Sequence, residues 1–187
     1  MVIVIMGVIG GAVAVFMKSP LDAYFDTARR AGIVDVADTT VRRMARDIRK
    51  ALPFSIRLLS DQCIEFIPTR TGGRYRYEEI VSGDGTSLIF PTAATPSPPP
   101  DQTFNMLGHN SDLPADQQIR ANDMVAVYNL WNPGADAYTV GVNTARVSSV
   151  VDGAETIVNM AGNTTVFPRE SPGKRFHVIP GDEKIVS

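Results

Sequence analysis

The first seventeen residues, MVIVIMGVIGGAVAVFM, carry no charged side chain, and a long charged pattern follows almost at once. A helix of that length spans about 25 Å at about 1.5 Å per residue, slightly under the roughly 30 Å hydrocarbon core of a bilayer. The run is apolar on every side, so it is not one face of a half-buried surface helix. Three readings compete: a membrane span, a cleavable signal peptide ending near Ala12-Val13-Ala14, and a fully buried core helix. A signal peptide needs a basic leading region, and no Lys or Arg precedes Lys18. A core helix needs a larger core than 187 residues with many short segments supply. The membrane span is carried forward, and its shortness leads us to expect a few further apolar residues ahead of Met1 in the natural chain.

Inside the run, Gly7 and Gly11 stand four apart with Gly10 beside them. Small residues at that spacing make a groove where a second helix can approach closely. Glycine is also simply frequent in membrane helices, and both readings stay open. After Lys18, the order Ser19-Pro20-Leu21-Asp22 suits an N-cap, a first-turn proline and an acidic capping-box position. The chain is therefore expected to kink there, or to stop and restart. No further proline occurs before Pro53, which marks the next stop.

Between those prolines Ile33, Ala37, Val41, Met44, Ile48 and Leu52 recur every three or four residues, one apolar stripe along a helix. Asp26 and Arg30, and Asp38 and Arg42, form favourable i,i+4 pairs worth a few tenths of a kcal/mol each. Burying a large apolar side chain gains about 1.5–3 kcal/mol, so Ile33, Val41, Met44, Ile48 and Leu52 are expected to dock on the globular part. The arginines around the stripe suggest a nucleic-acid or acidic-lipid surface, but the balance of charge opposes it. Residues 1–52 hold eight basic and five acidic side chains, and the remainder ten and fifteen. A pI near 5.7 is not the footprint of a phosphate-backbone binder.

Beyond Pro53 the period shortens. Segments 54–60, 63–67, 74–81, 87–90, 123–131, 137–142, 155–160 and 175–179 read as short strands. Turn signals separate them, among them Thr71-Gly72-Gly73, Gly83-Asp84-Gly85, Asn132-Pro133-Gly134, Asp152-Gly153 and Ser171-Pro172-Gly173. The stretch 91–103 holds five prolines and is expected to be an irregular surface loop. The expected architecture is α+β: a long N-terminal helix, transmembrane over 1–17 and amphipathic over 20–52, packed on an antiparallel β domain at 53–187.

Chemistry-bearing motifs are sparse. The two histidines, His109 in a polar loop and His177 in a predicted strand, have no metal-ligand spacing around them. There is no phosphate-cradling glycine loop and no nucleophile elbow. Asp84 and Asp152 sit beside glycines, as turn residues do. The chain is read as a non-enzyme with no cofactor, no metal, no nucleic-acid partner and no small-molecule substrate. Cys63 is the only cysteine. In an oxidising compartment its partner would lie on another chain or outside this sequence; the alternative is an inert buried thiol.

The stretch MVIVIMGVIGGAVAVFMKSPLDAYFDTARRA resembles the N-terminal helix of type IV pilin-like proteins, from just downstream of their processing motif. DVADTTVRRMARDIRKALPFSIRL, CIEFIPT, GGRYR and RFHVIPGDE (175–183) resemble minor pilins of the J-pseudopilin type, those of MSHA-type pili among them. The family's peptidase glycine and mature N-terminal glutamate are absent here, and the family often carries a further cysteine, which would account for Cys63 as a disulfide candidate. Both ends are therefore expected to be clipped. The resemblance implies an inner-membrane anchor with a periplasmic domain, a prepilin peptidase acting on the precursor, and partners among minor pilins, the major pilin and the assembly platform. It also implies that Gly7 and Gly11 face neighbouring helices and that Pro20 marks a bend. Lys18, Arg29 and Arg30 follow the span, so the positive-inside rule alone would keep that side cytoplasmic. The periplasmic placement, with a pilus tip as a further location, rests on the resemblance. Three functions follow: a minor pilin that initiates or caps the fibre, a J-type pseudopilin of a type II secretion system, and a membrane-tethered binding module or enzyme.

Overall fold

The computed structural model describes residues 1–79, 81, 84–139 and 141–181, without the side chains of Ala14 and Ser19. Parts of four expectations lie outside those residues: Ile80 of the strand at 74–81, Gly83 of its turn, Val140 of the strand at 137–142, and Asp182-Glu183 of the family-like segment. The chain divides into two units, Met1–Arg46 and Asp47–Ser187.

The first unit belongs to a single helix, α1 (Val2–Arg49), that runs through Pro20 without interruption. The expected stop and restart at Ser19-Pro20 is therefore not taken. A proline inside a helix removes one hydrogen bond at a cost of about 3 kcal/mol, which the many remaining turns of one long helix absorb. Thr27 and Thr40 donate their hydroxyls back to the Ala23 and Val36 carbonyls, both at 2.8 Å, so neither competes for a cap. Both expected ion pairs form, Arg30–Asp26 at 3.1 Å and Arg42–Asp38 at 2.7 Å.

The second unit is antiparallel throughout its described ladders. Among the described residues its strands are β1 (Arg57–Ser60), β2 (Cys63–Glu65), β3 (Thr71–Arg74), β4 (Thr103–Met106), β5 (Met124–Val127), β6 (Thr144–Arg146), β7 (Ser149–Asp152), β8 (Thr156–Asn159) and β9 (Arg175–Ile179). They make a β1–β2 hairpin, a four-stranded sheet in the order β3-β9-β5-β6, and a three-stranded sheet in the order β4-β8-β7. The fold is thus α+β, as expected.

Alternation fixes which face is buried. Val125 and Val127 of β5, with Phe176 and Val178 of β9, enter the main core beside Tyr75, Phe104, Val158 and Phe167. Phe104 meets Phe176 edge-on, with ring centroids 5.1 Å apart, and so ties the two larger sheets together. The intervening Ala126 joins a smaller cluster with Leu52, Ile67 and Ala137.

Among the described residues, two expected strands are absent. Residues 87–90 put Leu88 and Phe90 into the core without entering a ladder. Around 137–142 the backbone makes turns instead, Thr139 N–H to Asp136 O and Val142 N–H to Thr139 O. Conversely, Gly72-Gly73 is strand and not turn, and the strand expected at 74–81 lies earlier, at Thr71–Arg74. A side chain at Gly72 would come within 2.8 Å of the Phe176 carbonyl, and one at Gly73 within 2.9 Å of the Met106 sulfur. Close approach on both faces is why glycine stands there.

Two carboxylates hold loop segments in place with opposite pH signatures. Asp152 accepts from the Thr156 hydroxyl at 2.6 Å and from the Asn110 and Ser111 N–H groups at 3.0 and 2.9 Å. Those bonds, Thr156 foremost, outweigh desolvation and hold its carboxyl down to about 2. Asp101 accepts from the Ile89 N–H at 3.0 Å, yet burial, assisted by the charge of Glu79, pushes it up to about 6. The stabilisation from Asp152 is present above the unfolded value of about 3.9 and is lost as pH falls through its folded value. Asp101 acts the other way: stability declines as pH rises from its unfolded to its folded value. Asp152→Ala should flatten the acid limb of a stability-versus-pH curve, and Asp101→Asn should flatten the decline at mildly acidic pH. Chemical denaturation across that range measures both, and unchanged curves would refute the assignment.

Candidate functional site

In α1 the apolar half contains one stretch long and apolar enough to cross a membrane, with a mean hydropathy of 2.2. Its described side chains are exposed. At Gly7, Gly10 and Gly11 an added Cβ would meet nothing within 4 Å, so the small-residue groove is open along the helix. Its length, exposure and lack of charge together leave an element that water does not stabilise and lipid or other helices do.

The stripe residues divide. Ile33, Val41 and Met44 are 64%, 62% and 48% exposed, whereas Ile48 is half-buried and Leu52 is 1% exposed. Leu52 reaches its core because the chain around it pairs locally: Leu52 N–H donates to Ile67 O at 2.8 Å and Thr69 N–H to Lys50 O at 2.8 Å. Ile48 and Leu52 both belong to the second unit.

Cys63 opens β2 and is an exposed free thiol, so the inert buried reading does not hold. Around it stands an apolar surface that the strand reading of 54–60 and 63–67 passed over. Phe54, Ile56, Leu58, Leu59 and Ile64 are all exposed. Leu58 and Ile64 are direct cross-strand partners and share one face of the hairpin. The signal in the sequence was the failure of 54–60 to alternate cleanly. Arg57 and Glu65, also paired in register, hold the hairpin by a 2.5 Å ion pair, and the Arg57 guanidinium lies 3.6 Å from the Tyr138 ring centroid.

Among the described residues no cluster of three or more His, Cys, Asp or Glu side chains could hold a metal. His109 directly precedes a single 3-10 turn at Asn110–Asp112, and His177 lies in β9 opposite Gly72 and Ala126. Burial, and secondarily the charge of Arg175, pushes the His177 imidazole below its ordinary range. No hydroxyl or thiol among the described hydrogen bonds is held by a histidine, as an activated nucleophile would be.

The chain matches no protein-family model, and neither the curated proteins nor the solved structures contain a match to it.

Proposed function

We propose that this chain is a minor pilin of an MSHA-like type IV pilus, anchored in the bacterial inner membrane, with its β domain in the periplasm, and acting in fibre initiation or at the tip. The observation that carries this reading is α1 itself. One uninterrupted 48-residue helix has an uncharged apolar half that continues directly into a charged half and then into an antiparallel β unit. A simple membrane tether needs only the first half and a linker. A helix that leaves the bilayer and keeps an exposed apolar stripe at Ile33, Val41 and Met44 has a second surface to cover, as a subunit of a helical bundle does. The open groove at Gly7 and Gly11 supports the same reading. The partners are other minor pilins, the major pilin and the inner-membrane assembly platform, with a prepilin peptidase acting on the precursor.

Replacing Gly7 and Gly11 together by leucine tests it. The double variant should insert into the membrane as before, because leucine raises apolarity, while helix association in the assembled complex falls. Cross-linking between neighbouring helices and counts of surface fibres read the effect. Normal fibre numbers would show that this face is unused.

A further inference from the structure

The face of the β3–β9 ladder opposite the main core carries a group of side chains that the assembly reading does not use. Phe176 and Val178 point into the core, so Arg175 and His177 lie on the other face. Register places Arg74 directly opposite Arg175, and Gly72 directly opposite His177. These four, with Gly73 and Phe176, line an open cavity of about 350 Å³.

Like charges placed directly across a ladder destabilise it. Elsewhere in the same unit Arg57, Arg70 and Arg76 each face a carboxylate, on Glu65, Asp123 and Glu155. Arg74 and Arg175 have no carboxylate partner among the described residues. Their stems converge on one residue. The Arg74 Nε donates to the Gly173 carbonyl at 3.3 Å, and the Arg175 Nε lies 3.5 Å from where a Gly173 side chain would begin. That tether orients the Arg74 fork and leaves its terminal nitrogens without a partner among the described residues. Lys174, between them in sequence, is engaged elsewhere, on Glu170 and over the Tyr77 ring. The lining contains no acidic residue. At Gly72 the floor is bare backbone, and a Cβ there would approach the Phe176 carbonyl to 2.8 Å and the His177 Nδ1 to 3.4 Å.

Two unneutralised guanidinium forks, a neighbouring imidazole and a floor without side chains suit a compact anion with several oxygens. The geometry points to a phosphate-binding site formed by Arg74, Arg175 and His177 over Gly72, taking either a soluble phosphomonoester or the phosphodiester of a lipid headgroup. A bound phosphate offsets the like-charge pair and gives the imidazole a reason to hold its proton. His177 becomes the reporter, since burial and, secondarily, the Arg175 charge oppose its protonation and a bound phosphate counters the latter.

The test uses the full chain in a zwitterionic detergent free of phosphate. His177 is followed by the NMR signals of its ring protons, with a His109→Gln variant to assign the two histidines. The probes are inorganic phosphate, glycerol phosphate, dimethyl phosphate and, at matched ionic strength, chloride. A saturable shift with a rise in the His177 pKa is expected for phosphate, with His109 unmoved. Binding of the monoesters alone identifies a soluble ligand, and binding of dimethyl phosphate as well identifies a lipid headgroup. Arg74→Gln and Arg175→Gln should each weaken binding at least about ten-fold, the worth of one charge-assisted hydrogen bond. Arg74→Lys, which keeps the charge and loses the fork, should fall between, and it guards against a variant that fails to fold. The site is overturned if no probe saturates, if chloride acts equally, or if glutamine variants that melt like the parent keep their affinity.

Discussion

Phe176→Ala is expected to remove about 3–5 kcal/mol from the stability of the β unit, a large share of the roughly 5–15 kcal/mol that holds a typical domain. The side chain is fully buried and meets Phe104 edge-on, so its ring joins the four-stranded sheet to the three-stranded one. Its backbone is also central, because β9 pairs with β3 on one side and β5 on the other. Truncation would leave a cavity beside Phe104, whose backbone is held in the β4–β8 ladder and cannot readily collapse into it. Phe176→Leu, which refills much of the space, should cost far less. Thermal melting of the β unit's near-ultraviolet signal, in parallel for the two variants and Phe104→Ala, measures the difference. A loss below about 1 kcal/mol for Phe176→Ala would mean that the two sheets are not joined through this contact.

Phe176 was legible as a core residue because 175–179 alternates cleanly, and the structure returns that strand residue for residue. The apolar anchor helix was equally legible, since an uncharged run followed by a three-to-four-residue period has no strand equivalent. What failed was the inverse inference, from a short apolar run to a ladder. Residues 87–90 fill the core through Leu88 and Phe90 while their neighbours bond sideways, Leu88 N–H to Arg76 O and Asn105 N–H to Thr86 O. Gly72-Gly73 misled in the opposite direction. Two glycines after a threonine signal a turn when read locally, and only the Phe176 and Met106 contacts reveal a strand squeezed from both faces. The Arg74–Arg175 pair was hidden for a related reason. Each arginine looks like an ordinary solvated charge until the ladder places them opposite each other. At Pro20 the local signal was sound chemistry for a helix start, but one unfavourable residue does not break a helix of this length.

If the chain is the minor pilin proposed above, deleting the gene should sharply reduce the number of surface pili while the major pilin is still made and inserted. Three observations lead to this expectation. The N-terminal run of α1 is uncharged through Met17 and open at Gly7 and Gly11. The second half of α1 carries the apolar stripe Ile33, Val41 and Met44. The β unit adds an exposed apolar hairpin at Leu58, Leu59 and Ile64, a surface suited to a partner domain. A subunit that starts or caps a fibre is needed in few copies, so tagged protein should be scarce in sheared fibres and located at their ends. A pseudopilin would give a different result, with exported proteins trapped in the periplasm and pili unaffected. A tethered binding module or enzyme would give a third, since its domain without the helix would restore the lost phenotype. Counting pili and assaying secreted proteins in one deletion strain, complemented by the full chain or by the helix-free domain, separates these outcomes. Leu58→Asp in the full chain sharpens the test: it should leave the domain folded, because the side chain is 74% exposed, yet fail to restore pili. Unchanged piliation in the deletion strain would rule out a pilus role altogether.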